Sequence, residues 1–129
     1  MALANARPDL VAHETVVRMP IKEVVQNLVE LLGGKLVAYI AGVTETRAVR
    51  QWAEGSREVR DDAKARLREA LTVALTVASK DDARVVQAWF QGLNPQLDDR
   101  SPARLLREGD LERVARDVRQ AARAFVVGG

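Results

Sequence analysis

Between Trp89 and Gly109 two prolines and a glycine fall at fixed offsets from aromatic and leucine anchors, in the pattern W-F-x-x-L-N-P-x-L-x-x-x-x-P-x-x-L-L-x-x-G. Proline lacks an N–H and has a fixed φ, so it belongs in a helix's first turn or in a loop. Asn94-Pro95 therefore marks a turn or extended loop, because the residue before proline is biased away from helical geometry. Ser101-Pro102 marks a helix start, with Ser as the cap and Pro in the first helical position. The stretch contains no plausible catalytic set and describes a folded interaction module.

Almost every other segment carries helical periodicity. After Pro20, the residues Ile21, Val24, Val25, Leu28, Val29 and Leu32 fall on one face, and Gly33-Gly34 stops that helix. Short helices are expected over Lys35 to Ala41 and Glu45 to Ala53, and a long one over Val59 to Ala78 with Leu67, Ala70, Leu71, Ala74, Leu75 and Ala78 inward. The first half of the long helix is charged and its second half is apolar all round. That half is expected to be enclosed, by its own fold or by a second chain, and Leu71 to Val77 is a reasonable dimer surface. Ser79 is read as the cap of a helix that turns Val85, Val86, Trp89 and Phe90 inward and ends at Gly92. The last helix, opened by Asp110, carries Leu111, Val114, Ala115, Val118, Ala121, Ala122 and Phe125 at helical spacing. The tail Val126-Val127-Gly128-Gly129 is expected to be apolar and flexible. The β-leaning pairs Val16-Val17 and Val126-Val127 are too short for strands. The fold class is all-α: a helix-turn-helix bundle followed by a small helical domain.

Composition narrows the chemistry. With no cysteine among 129 residues, disulfides and thiolate chemistry are excluded. The single histidine, His13, is read as a surface residue without a role, so a His-based metal site or a Ser-His-Asp triad has almost no material. No enzyme activity and no cofactor are expected. A formal charge of +2 permits nucleic-acid contact without demanding it. No apolar run is long enough to span a bilayer, and Met1 to Pro8 lacks the pattern of a signal peptide, so a cytoplasmic protein without membrane contact is expected.

Residues Lys35 to Gly55 have the make-up of a DNA-reading helix-turn-helix. Ala38 and Ala41 are small, Gly42 supplies the turn, and Val43, Val49 and Trp52 can dock the second helix. Thr44, Thr46, Arg47, Arg50 and Gln51 are left outward, with Arg57 and Arg60 placed to hold phosphates. From the turn glycine to the next buried apolar residue the count is one longer than in the usual repressor pattern. Either the turn is longer or the recognition helix is rotated.

From Trp89 onward the chain resembles the toxin-binding domain of the Xre/MbcA/ParS antitoxin family, in which a small helical domain follows a helix-turn-helix. The resemblance rests on Trp89, Asn94-Pro95-Gln96-Leu97, Pro102, Leu105-Leu106, Gly109 and Val114, in that order. Where the family has a glycine-rich stretch before the second proline, this chain has Asp98-Asp99-Arg100-Ser101. Gly109 is read as permitting a left-handed residue at the end of the short helix. The resemblance implies residues 1–19 as an N-terminal segment, 20–60 as the helix-turn-helix region, and 61–129 as the toxin-binding and dimerisation region. It implies a non-enzymatic antitoxin that neutralises a RES-domain, NAD-consuming toxin by blocking its active site, and that binds operator DNA, as a homodimer, through Thr44, Thr46, Arg47, Arg50, Gln51 and Arg57. The residues implied for toxin binding are Arg113, Arg116, Arg119, Gln120, Arg123, Phe125, Val126 and Val127. The competing function is a stand-alone helix-turn-helix transcription regulator whose C-terminal domain only dimerises or binds another partner.

Overall fold

The computed structural model describes residues 7–128, and these form helices joined by short turns. The helices are α1 (Pro8–Val17), α2 (Ile21–Leu32), α3 (Gly34–Ala41), α4 (Thr46–Glu54), α5 (Asp61–Ala78), α6 (Ala83–Gln91), α7 (Pro102–Glu108) and α8 (Leu111–Gly128), with a 3₁₀ turn at Pro95–Leu97 between α6 and α7. Among the described residues there is no strand, only an isolated bridge between Asn94 and Arg100. The all-α expectation holds. The signal-peptide reading of Met1 to Pro8 falls, up to residue 6, outside the described residues, as does Gly129 of the tail.

The central element is α5, which packs against α1, α2, α3, α6, α7 and α8. Its apolar second half is consumed by this role. Leu71, Thr72, Val73, Ala74, Thr76 and Val77 are all buried within the chain. Of the two ways to enclose that half, its own fold is the one realised, and Leu71 to Val77 is not available as a dimer surface. The hydroxyl of Thr76 is satisfied inside the helix by the Thr72 carbonyl at 2.8 Å.

The charged first half of α5 has a structural use that periodicity did not reveal. Arg66 donates to the carbonyls of Leu106 and Gly109, at the end of α7. Arg68 donates to the carbonyls of Val16 (3.0 Å) and Met19 (2.7 Å), at the end of α1. A helix's last carbonyls have no intrahelical partner, and a cation there also meets the negative end of the helix dipole. Two arginines on one helix thus clamp the ends of two others.

The N-terminal stretch is helical too: Pro8 opens α1, and Ala12 and Val16 of this helix are buried. Val16-Val17 lies within α1, in keeping with the expectation that this pair forms no strand. Three local expectations need correction. Ser79 does not cap α6. Its hydroxyl donates back to the Thr76 carbonyl at 2.6 Å, and Asp82 caps α6 by accepting from the Val85 N–H at 3.2 Å. Val85 is only half-buried, while Val86, Trp89 and Phe90 are buried. Finally, Val126 and Val127 are not a loose tail: α8 continues through them, and Lys80 donates to the Val126 carbonyl at 3.1 Å.

Candidate functional site

The helix-turn-helix forms from α3, a turn over Gly42 to Glu45, and α4. Gly42 has φ +81°, a left-handed conformation that favours glycine, and its N–H caps α3 by donating to the Tyr39 carbonyl. Val43 is half-buried in this turn. Ala48, Val49 and Trp52 then bury α4 against the core.

The opposite side of α4 is open. Thr44, Thr46, Arg47 and Arg50 are exposed and line one cleft of about 830 Å³ together with Lys35 and Arg107. Arg47 and Arg50 have no carboxylate within ion-pair distance among the described residues. Gln51 and Arg57 separate from this group. Gln51 is half-buried, and its side-chain oxygen accepts from Arg57 at 3.4 Å. Arg57 borders a second, smaller cleft of about 370 Å³ with Trp52 and Arg60. The six expected DNA-binding residues thus occupy two adjoining faces rather than one.

The C-terminal module is assembled around Trp89. Its ring meets Phe90 edge-on at 5.4 Å and Phe125 at 6.4 Å, which locks the end of α8 to α6. Such aromatic pairs each add roughly 0.5–1.5 kcal/mol beyond area burial. The N-P-x-L turn is built by Asn94: its side chain accepts from the Gln96 N–H at 2.9 Å, and its carbonyl accepts from the Asp99 N–H at 2.9 Å. Leu97 is buried beneath it. Asp98 and Asp99 both adopt left-handed backbone (φ 56° and 59°), the conformation that glycines would supply in the related family. Aspartate tolerates that region better than most residues. Ser101 caps α7 as expected, accepting from the Arg104 N–H at 3.2 Å.

Gly109 is not left-handed. Its φ is −80° and its ψ 167°, ordinary extended backbone. The glycine is required by space instead: a Cβ there would collide with a methyl group of Val114 and lie 2.8 Å from the Leu105 carbonyl oxygen. The absence of a side chain lets α8 turn back directly over the end of α7.

The residues expected to bind a toxin divide into two groups. Arg113, Arg116, Gln120, Arg123 and Val127 are exposed along one side of α8. Val127 is 76% exposed, and Arg113, Arg116 and Arg123 have no ion-pair partner among the described residues. Arg119, Phe125 and Val126 turn inward. Arg119 reaches Glu69 of α5 at 3.4 Å and donates to the Ala115 carbonyl. Burial pushes the Glu69 carboxyl above its usual range, with Arg119 and, behind it, His13 opposing. The Arg119 contact lies within ion-pair distance but is not aligned as a hydrogen bond, so one Glu69 oxygen is buried without a hydrogen-bond partner. His13 itself is exposed on α1.

Beside the outward stripe lies an apolar groove of about 540 Å³ between α8 and the α6–3₁₀ segment, with Trp89, Leu93, Pro95 and Phe125 in its walls. Leu93 is 75% exposed at its edge. The W-F-x-x-L-N-P pattern carries Leu93 as an anchor, but the structure leaves it outside the core, at the rim of this groove. Sequence reasoning missed Lys35, Tyr39 and Arg107 around the α4 cleft.

No family model matches the sequence, and no curated protein matches it. Among solved structures, the chain is similar to one described as "Crystal structure of the M.tuberculosis MbcT-MbcA toxin-antitoxin complex". The TM-score is 0.63 at 27% identity, covering 81% of this chain and 95% of that one. The resemblance to MbcA-type antitoxins read from the sequence is borne out in three dimensions. No helix among the described residues is long and apolar enough to cross a membrane.

Proposed function

We propose that this chain is the antitoxin of a toxin–antitoxin pair and that it acts by occupation rather than by chemistry, in the cytoplasm. The observation that carries this is the likeness, over most of both chains, to a component of a solved toxin–antitoxin complex. The partner proposed from the sequence resemblance is a RES-domain toxin that degrades NAD, with the antitoxin closing its active site. The outward stripe of α8 supports that role. It offers arginines without an ion-pair partner among the described residues to acidic groups of a partner, with an apolar groove and the exposed Val127 beside them. Because α8 stays helical through Val127, the blocking element is a rigid helix end, which loses less entropy on docking than a loose tail. Arg113, Arg116, Gln120, Arg123 and Val127 are the contact residues. Arg119, Phe125 and Val126 hold α8 in place.

The second part of the proposal is autoregulation, with α4 in the major groove of operator DNA. Its support is the exposed Thr46, Arg47 and Arg50 beside a tight glycine turn. A homodimer would place two such helices on neighbouring grooves, through a surface other than the buried half of α5.

Co-expression with a RES toxin from the same operon tests the first part. The expected result is restored growth and a co-purifying complex. Arg113→Glu combined with Arg116→Glu should abolish the rescue while leaving the melting temperature unchanged. Full rescue by that double variant would remove the α8 stripe from the interface, and failure of the folded natural chain to rescue would end the antitoxin reading.

A further inference from the structure

We propose that Arg107, which belongs to the C-terminal module, is part of the DNA-binding surface and holds a backbone phosphate beside the groove that receives α4. This rests on the DNA-binding reading of α4 and extends it across the boundary between the two regions.

The cleft next to α4 has two walls. Thr44 to Arg50 form one, and Arg107 and Glu108 at the end of α7 form the other, with Lys35 and Tyr39 of α3 between them. Its cations are Lys35, Arg47, Arg50 and Arg107, and its carboxylates are Glu45 and Glu108. The four cations outnumber the two carboxylates, and one of these, Glu108, is shared with Arg104 at 3.2 Å. The field in the cleft therefore favours an anion, although the chain as a whole carries a formal charge of only +2.

Arg107 is held ready. One guanidinium nitrogen donates to the Tyr39 carbonyl at 2.7 Å, and the guanidinium carbon sits 4.6 Å from the centre of the Tyr39 ring. A guanidinium has five N–H donors, so most remain for a ligand. Stacking and the carbonyl bond fix the side chain, and little rotamer entropy is left to lose on binding.

The shape of the duplex selects the ligand. A helix seated in the major groove, about 12 Å wide, lies between two sugar-phosphate backbones. A cleft running alongside such a helix is where one of those backbones passes. Arg47 and Arg50 then face base edges and phosphates from one wall, and Arg107 closes on the same strand from the other. Contacts of the second kind position a protein without reading sequence.

The test uses the full chain and a fluorescein-labelled duplex of mixed sequence, because phosphates are the same in any sequence, with Kd measured across a KCl series. Arg107→Gln should weaken binding roughly tenfold at 0.1 M salt and lower the slope of log K against log salt by about 0.9, the value for one lost phosphate contact. Arg107→Lys, which keeps the charge, should restore the slope. Glu108→Gln, at an exposed position, should tighten binding, and this holds as a readout even if Arg107→Gln folds poorly. An unchanged slope for Arg107→Gln, or unchanged affinity for Glu108→Gln, overturns the proposal. Arg47→Ala with Arg50→Ala separates the two levels. If that pair lowers the slope and Arg107→Gln does not, α4 binds DNA without Arg107. If neither lowers it, the DNA reading of α4 fails as well. Loss of toxin capture by Arg107→Gln with an unaltered salt slope would assign the cleft to a protein partner instead.

Discussion

The two helix joins, α3–α4 and α7–α8, each turn on a glycine, and the glycines work in opposite ways. Gly42 sits in left-handed backbone with nothing within 4 Å of where a Cβ would stand. Gly109 sits in ordinary extended backbone, with Val114 and the Leu105 carbonyl pressed against it. The first join is a matter of backbone conformation and the second of packing. A turn set by dihedral preference can be surrounded by solvent, which leaves the outer side of α4 open. A turn set by close approach ties two helices into one body, which suits a rigid docking surface.

Four substitutions can break or sharpen this contrast. The largest effect is expected at the packed join. Gly109→Ala forces Val114 or the α7 terminus to move, and overpacking of this kind typically costs about 1–3 kcal/mol. Urea denaturation should show that loss, together with weakened toxin capture as α8 shifts. Next comes Gly42→Ala, where only the left-handed backbone is penalised, at about 1–2 kcal/mol before the entropy gained by replacing glycine is set against it. A Gly42→Ala variant less stable than Gly109→Ala would invert the comparison.

A smaller effect of opposite sign is expected in the loop before α7. Asp99→Gly relieves one left-handed aspartate and should raise stability by about 0.5–1 kcal/mol. A fall in melting temperature would mean that Asp99 makes a contact worth more than its strain.

The smallest effect concerns how α8 docks on α5. Burial raises the Glu69 carboxyl, so its contribution to stability is complete at pH below the unfolded value of 4.5 and is lost as pH climbs through the folded one. Glu69→Gln does not titrate. Its unfolding free energy should match that of the natural chain in acid and exceed it modestly near neutrality, by less than about 1 kcal/mol because Glu69 is partly solvated and Arg119 offsets the cost. An equal difference at pH 4 and pH 7 would show that charge at Glu69 plays no part.

Much of this architecture was legible in the residues. Pro102 behind Ser101, Gly92, Gly55 and the repeat of apolar residues in α2, α5 and α8 each act over a few positions, and the helices lie where those signals put them. The weaker helix α1 escaped notice because its face is narrow: two of its residues, Ala12 and Val16, are buried, and Leu10, Val11 and Val17 are exposed. The candidate site was legible only as a set of outward residues. That Arg119 turns to Glu69, while its neighbours Arg116 and Arg123 form no ion pair among the described residues, depends on where α5 lies. Helical spacing places Arg119 at the edge of the exposed side and cannot say what stands opposite.

The chain's own order thus determined the helices, their starts and stops, and the stripe of arginines on α8, because hydrogen bonding, capping and amphipathic spacing are local. Tertiary structure alone decided which apolar face would be buried within the chain, why Gly109 must lack a side chain, and which arginines are engaged. Arg66, Arg68 and Arg107 reach carbonyls 40 to 68 positions away in sequence. No local preference encodes such a partner. It exists only once the packing of α5 has brought the helix ends together.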